Sequence, residues 1–345
     1  MNYQLVEEYG QHKHAGSKAK NDCIKILDEI GLKKIGLFRK EESNTSVTAK
    51  LKRQMDLFLQ WRKIYHQLEP NDTLLIQHPF LYTDIGRNYF LKKFKNKNIK
   101  LILLVHDIEI IRNLFQENHY NTEFQQMVPV TDYFIIHNEN MKKWLVEYGI
   151  DSNKLIVLEI FDYLNEKDLS EKVLYDKSVI IAGNLSQEKS PYIYELSKVP
   201  DVQFNLMGVN YTEEKETQNI HYLGAFESDE VPFQLKSGFG LVWDGISIET
   251  CDGPTGNYLR YNNPHKLSLY LSSGLPVIVW KESALAEFIS SQKLGLVISS
   301  LYELSDILDT ITEKQYQEFV ENIQEVREKL KKGFYLKKSI NEILT

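Results

Sequence analysis

"YNNPHKLSLYLSSGLPVIVW", residues 261–280, decides the fold because it sets a short helix directly before a wholly apolar strand. Asn263 has the chemistry of a helix N-cap, Pro264 suits the first helical position, and Gly274 suits the residue just past the end. Pro276 to Trp280 then reads as a buried strand. His265 and Lys266 stand in the first helical turn, where the helix dipole is already positive. Cationic side chains are unfavourable there unless something negative is bound.

The same alternation extends in both directions. Apolar runs "KIGLF", "TLLIQ", "KLILLV", "YFIIH" and "LIVLEI" occupy the first half, and "SVIIAG", "VQFNLMG", "FGLVW", "LPVIVW" and "LGLVIS" the second. Continuously apolar strands separated by helical patterns imply parallel sheets covered on both faces, so the chain is an α/β protein. A polar stretch, "FDYLNEKDLSEKVLYDKS", suits a linker between two doubly wound domains, expected at 1–163 and 164–330. From Glu313 to Leu344 one or two amphipathic helices follow, and residues 331–345 are expected to return toward the first domain.

Composition bounds the function. The chain has 345 residues and a formal net charge of -7, with Lys and Arg spread among Asp and Glu, which argues against a nucleic-acid partner. Cys23 and Cys251 form no CxxC pair, so neither a zinc site nor a disulfide framework is suggested, and a reducing, cytoplasmic setting fits. "MNYQLVEEYG" does not resemble a signal peptide, and no stretch approaches the ~20 apolar residues of a membrane span. Peripheral contact with the inner membrane face through an amphipathic helix, and assembly as a homo-oligomer, are both left open.

Parallel sheets bind ligands at the carboxyl ends of their strands. The first half offers Gln77, His78 and Pro79, then His106 and Asp107, then His137 and Asn138. The second offers Gly183 and Asn184, then Met207 to Tyr211, then Trp243, Asp244 and Gly245. Each of these alone is more simply explained as a loop cap or a satisfied core side chain, though three His-containing strand ends in one domain weaken that explanation. The sequence has no GxGxxG after the first strand, no GxxxxGK[ST], no HExxH and no GxSxG, which removes the usual support for dinucleotide binding, P-loop chemistry, zinc proteolysis and serine hydrolysis. Asp-x-Asp is absent too, and Asp107 with Glu109 fits ordinary helix-start chemistry. Any bound phosphate must then be held by backbone amides and cations. The long Gly- and Asn-rich loop "WDGISIETCDGPTGNYLRYNNPHK" leads from a strand end to Lys266, and loops of this length are usually functional. A helix N-terminus with Lys266 beside it can hold a diphosphate; the alternative is a surface helix with a solvated lysine.

"LVHDIE", "AGNLSQEKS", "MGVNY", "LGAF" and the block running from "FGLVWDG" to "ALAEFI" resemble the bacterial β-1,6-galactofuranosyltransferases of polysaccharide assembly and, more distantly, the glucosyltransferases that extend glycans on serine-rich adhesins. The resemblance covers most of the chain after about Asn71. It implies the GT-B architecture, two facing Rossmann-like domains with an interdomain cleft, the second binding a uridine diphosphate sugar. "YGQHKHAGSKAKND" resembles the family's first-strand loop, which brings Gly16 near the donor. On the same ground Asn184, Gln187, Tyr211, Asp244, Glu249, Asn263, Pro264, His265 and Lys266 are the expected nucleotide-sugar-binding residues. Gln187 stands where some relatives carry an Arg, which removes a charge from that position.

Displacing a diphosphate from a sugar needs leaving-group stabilisation and a base for the incoming hydroxyl. Asp107 is the candidate base and His106 the runner-up, while Glu249 is placed to orient sugar hydroxyls. Without Asp-x-Asp, metal-independent transfer without a cofactor is expected. The acceptor is a glycan, a lipid-linked oligosaccharide or a glycoprotein. Three readings stand: transfer of galactofuranose, transfer of glucose or N-acetylglucosamine onto an adhesin, and a non-catalytic GT-B partner subunit.

Overall fold

The structure, a computed structural model, describes residues 1–9, 17–39, 46–80, 84–114, 119–165, 173–212 and 217–344. The chain divides into two units. The first holds Met1–Leu158 with Leu336–Thr345, and the second holds Glu159–Tyr335.

In the first unit the strands are β1 (Asn2–Tyr9), β2 (Lys33–Arg39), β3 (Thr73–His78), β4 (Lys100–Val105), β5 (Tyr133–Ile136) and β6 (Leu155–Val157). They form one wholly parallel sheet in the order β2-β1-β3-β4-β5-β6. Helices follow most strands: α1 (Ser17–Glu29), α2 (Val47–Gln67), α3 (Ile85–Asn96), α4 (Glu109–Arg112), α5 (His119–Met127) and α6 (Glu139–Glu147). All of β3, and all of β4 after its first residue, is buried. Such strands are covered on both faces, hence their unbroken apolar runs.

The second unit repeats the plan. Its strands β7 (Leu174–Asn184), β8 (Phe204–Val209), β9 (Ile220–Tyr222), β10 (Ser237–Val242), β11 (Val277–Trp280) and β12 (Gly295–Ile298) pair in parallel in the order β12-β11-β10-β7-β8-β9. Its helices are α7 (Val231–Gln234), α8 (Gly253–Tyr258), α9 (His265–Ser272), α10 (Ala286–Ser291), α11 (Leu304–Thr310) and α12 (Glu313–Lys331). The last helix, α13 (Phe334–Leu344), begins in this unit and passes to the first at Leu336. There Lys337 pairs with Glu29 at 2.8 Å. The strand order reverses between β7 and β10, and a doubly wound sheet places its ligand at the carboxyl ends flanking that point.

Three local expectations are corrected. Strand β1 was missed because "NYQLVEEY" is not an apolar run, and its buried Gln4 is satisfied by the carbonyls of Ile24 and Leu32 at 3.1 and 3.3 Å. Short, mostly exposed β9 has no apolar run either. The described ends of the supposed linker are tied into the fold: β7 already starts at Leu174, and Phe161 and Tyr163 are buried. Ser268 Oγ donates to the Phe161 carbonyl at 2.5 Å, Tyr163 OH to the Ser228 carbonyl at 2.8 Å, and Tyr335 N to Asp162 at 3.1 Å. The Asp162 and Tyr163 side chains are thus drawn into hydrogen bonds. Among the described residues no helix is long and apolar enough to cross a membrane.

Candidate active site

In the second unit the site is built where the strand order reverses. Lys266, in the first turn of α9, donates from Nζ to the Trp243 carbonyl at the end of β10, at 3.1 Å, and lies 3.6 Å from Asp244 Oδ1. That oxygen is buried and accepts no hydrogen bond. The helix therefore already faces one anion, but across a gap too long for a hydrogen bond. Gly183, ending β7, is exposed, and a Cβ there would sit 3.7 Å from Lys266 Cε. Gly208, ending β8, has φ of +154°, and a Cβ would meet the Gly183 carbonyl oxygen at 1.7 Å. Only glycine fits there. The two bare strand ends leave backbone, not side chains, beside the lysine.

Residue Asn263 does not cap α9. Pro264 holds the cap position at φ -60° and ψ 136°, without a side-chain cap bond, because the ring fixes φ and extended ψ starts the helix one residue later. The buried Asn263 amide donates instead to the Glu159 carbonyl. The His265 ring packs on Tyr163 at 5.0 Å and Phe161 at 6.3 Å. Asn184 accepts from Ser186 N and from Asn210 Nδ2, both at 3.1 Å, which ties the ends of β7 and β8 together. Gln187 is exposed on the turn that follows. Tyr211 lies between Tyr194 and Tyr222, with ring centroids 5.8 and 5.0 Å away. Glu249 is exposed on the long loop, its backbone N–H held by Ser247 Oγ at 3.0 Å. Gly16 lies outside the described residues.

Beneath this edge is a group that the sequence reading did not single out. Tyr192 OH and Asp252 Oδ1 are buried without hydrogen-bond partners, as is Asp244 Oδ1. Burial, with Asp244 nearby, raises the Tyr192 hydroxyl well above the usual tyrosine range. Burial likewise pushes the Cys251 thiol up, opposed by a hydrogen bond with the Asp244 backbone and by Lys266, while the charges of Asp244 and Asp252 add to the rise. Both cysteines are buried.

The first unit's edge is differently made. His106 Nε2 meets Gln77 Oε1 at 2.7 Å. Asp107 pairs with Arg112 Nη1 at 3.0 Å and keeps a third of its side chain exposed. It is not the N-cap of α4, whose cap position is Ile108 with no side-chain bond; Glu109 stands in the first turn of that helix. Glu109 accepts from Arg112 Nε at 2.8 Å and from Leu114 N at 2.6 Å. Buried Glu123, from α5, is the hub behind them: it receives Arg87 Nη2 at 2.6 Å and Phe80 N at 3.0 Å, and His78 Nδ1 lies 3.1 Å away. Burial pushes its carboxyl up, but His78 and Arg87 outweigh that and hold it below the usual glutamate range. Lys20 donates to the Pro79 carbonyl at 2.7 Å; burial lowers its ammonium against the pull of Glu7, Glu123 and Asp107. His137 donates from Nε2 to the Val105 carbonyl at 3.0 Å, and burial lowers its pKa to about 4, so it is neutral at pH 7. Asn138 is the cap of α6, accepting from Met141 N at 3.0 Å. Among the described residues no group of three or more His, Cys, Asp or Glu is placed to hold a metal ion.

Comparison with known proteins gives this geometry its chemical class. Residues 2–160 match the model "Glucosyltransferase 3-like, N-terminal domain" and residues 179–343 match "Glucosyltransferase 3-like, C-terminal domain". A β-1,6-galactofuranosyltransferase, WbbI of Escherichia coli (strain K12), is 36% identical over 284 residues, 80% of each chain. The chain belongs to the glucosyltransferase 3-like family. Glucosyltransferase 3 of Streptococcus gordonii is 28% identical over 347 residues, covering 98% of this chain and 97% of that one. In fold, an α,α-trehalose-phosphate synthase (UDP-forming) from Burkholderia vietnamiensis matches with a TM-score of 0.62 over 99% of both chains at 10% identity. The architecture is GT-B, with two Rossmann-like units, and this family member is a glycosyltransferase.

Proposed function

We propose that this glycosyltransferase moves galactofuranose from a uridine diphosphate sugar to a glycan acceptor in bacterial cell-surface polysaccharide assembly. The observation that carries the donor assignment is the position of Lys266: at the N-terminus of α9, beside bare Gly183, where the strand order of the second unit reverses. Charge on a leaving diphosphate is met there by Lys266 and the first amides of α9. Asp244, Asn184 and exposed Glu249 supply acceptors for sugar and ribose hydroxyls. In the first unit Asp107 takes the proton of the acceptor hydroxyl, with Arg112 orienting its carboxylate and His106 as the neighbouring group. The reaction is metal-independent in this reading, so turnover persists in a chelator. Choice of galactofuranose rests on the 36% identity to the Escherichia coli enzyme. A second reading, glucose or N-acetylglucosamine added to the glycan of a serine-rich adhesin, is favoured by the near full-length alignment with the streptococcal relative.

Release of uridine diphosphate from a panel of nucleotide sugars tests both readings. The galactofuranose donor should give the fastest release; a faster pyranose donor would favour the second reading. Silence with every donor and acceptor would overturn both and leave a partner subunit.

A further inference from the structure

Among the described residues, the first unit carries an exposed apolar face on α2 and α3. On the outer side of α2, Leu51, Met55 and Leu59 recur every fourth residue with 67%, 57% and 52% of their surface exposed. Residues at this spacing form one stripe along a helix. The stripe continues onto α3: Phe58 stacks with Tyr89 at 6.0 Å, Ile85 N donates to Gln54 Oε1 at 3.0 Å, and Ile85 is 81% exposed. Contiguous exposed apolar surface of this kind marks an interaction site.

Charge identifies what it meets. Helices α2 and α3 carry nine Lys and Arg against the single acid Asp56, in a chain whose net charge is -7. Arg87 pairs with Glu123 and Lys95 with Asp132. Exposed Lys52 and Lys63 flank the stripe, Arg62 follows it, and Lys92 and Lys93 stand a turn beyond Tyr89, with Lys93 Nζ 4.9 Å from that ring. An apolar stripe with a cationic rim is complementary to an anionic bilayer, where apolar side chains enter the headgroup boundary and lysines reach lipid phosphates. Pairing with a second copy in a two-fold arrangement would set this basic rim against itself. We propose that the α2–α3 face, centred on Leu51, Met55, Leu59 and Ile85, docks the enzyme on an anionic lipid surface.

The test is co-sedimentation of the full chain with vesicles of phosphatidylcholine mixed with phosphatidylglycerol, and with vesicles of phosphatidylcholine alone. The protein should pellet with the anionic vesicles only, and less as salt is raised. Leu51→Asp with Leu59→Asp should abolish pelleting. Lys52→Glu and Lys63→Glu, both at exposed positions, should each weaken partitioning about fivefold or more, the effect of about 1 kcal/mol per cation lost. Unchanged donor hydrolysis and thermal melting show that the variants are folded. Failure of the wild-type chain to pellet with anionic vesicles would overturn the proposal. So would equal pelleting of the Leu51→Asp, Leu59→Asp chain, or a wild-type dimer in lipid-free buffer that these substitutions dissociate.

Discussion

At the edge of the first unit Asp107, Glu109 and Glu123 each stand within 3.0 Å of an arginine, whereas at the edge of the second unit Asp244 faces Lys266 across 3.6 Å and keeps a buried oxygen without a hydrogen bond. Both edges end parallel strands, and both gather charge. The first is internally paired and acts through groups already held in one geometry. The second is lined by Gly183 and Gly208 and leaves its cation and its carboxylate only loosely coupled. Pairing of that kind positions a reacting group, while loose coupling suits a ligand that enters and leaves. In the proposed reading the first unit supplies the base and the second holds the donor, and the two can be broken separately.

The largest separation is expected at Asp107. Asp107→Asn keeps size and hydrogen bonding but removes basicity, so turnover should fall by roughly two to four powers of ten in a steady-state assay. A retained rate would move the base to His106 or remove the need for one.

Next is the hub. Glu123→Gln leaves the Phe80 N–H an acceptor but strips buried Arg87 of its counter-charge, and breaking a buried pair costs about 3–5 kcal/mol. Urea denaturation should show that loss. A loss below about 1 kcal/mol, the range of exposed pairs, would mean that the pair is solvated.

His137 gives a smaller effect with a distinct pH signature. Its folded pKa of about 4 lies below the 6.5 usual for a histidine, so the unfolded chain binds a proton that the folded one refuses. Its contribution is present above pH 6.5 and is lost as pH falls toward 4, on the order of 3 kcal/mol. His137→Gln should flatten the stability profile across that window. An unchanged slope would place the dependence elsewhere.

Much of this was legible in sequence, and the exceptions have physical causes. Buried parallel strands announce themselves as apolar runs, so β3, β4, β7 and β11 were readable, whereas β1 hides Gln4 in hydrogen bonds that only the fold supplies. The strand end at Trp243 and the loop to Lys266 were readable because a parallel sheet binds ligands at one edge. Asn263 was misplaced because its side chain answers a carbonyl 104 residues away, which no local rule reveals. Glu123 sits in the polar run "HYNTEFQQM" with no neighbouring signal; its partners His78 and Arg87 come from distant segments. Tyr192 and Asp252 stayed invisible for the same reason.

The central claim, donor held by the second unit and proton taken by the first, is tested most directly by calorimetric titration of uridine diphosphate into Lys266→Ala and Asp107→Asn side by side. Loss of a charge-assisted contact amounts to about 1.5–3 kcal/mol, so Lys266→Ala should bind roughly ten to a hundred times more weakly, while Asp107→Asn binds like the wild-type chain. Wild-type affinity in a folded Lys266→Ala chain, or an equal loss in Asp107→Asn, would contradict it.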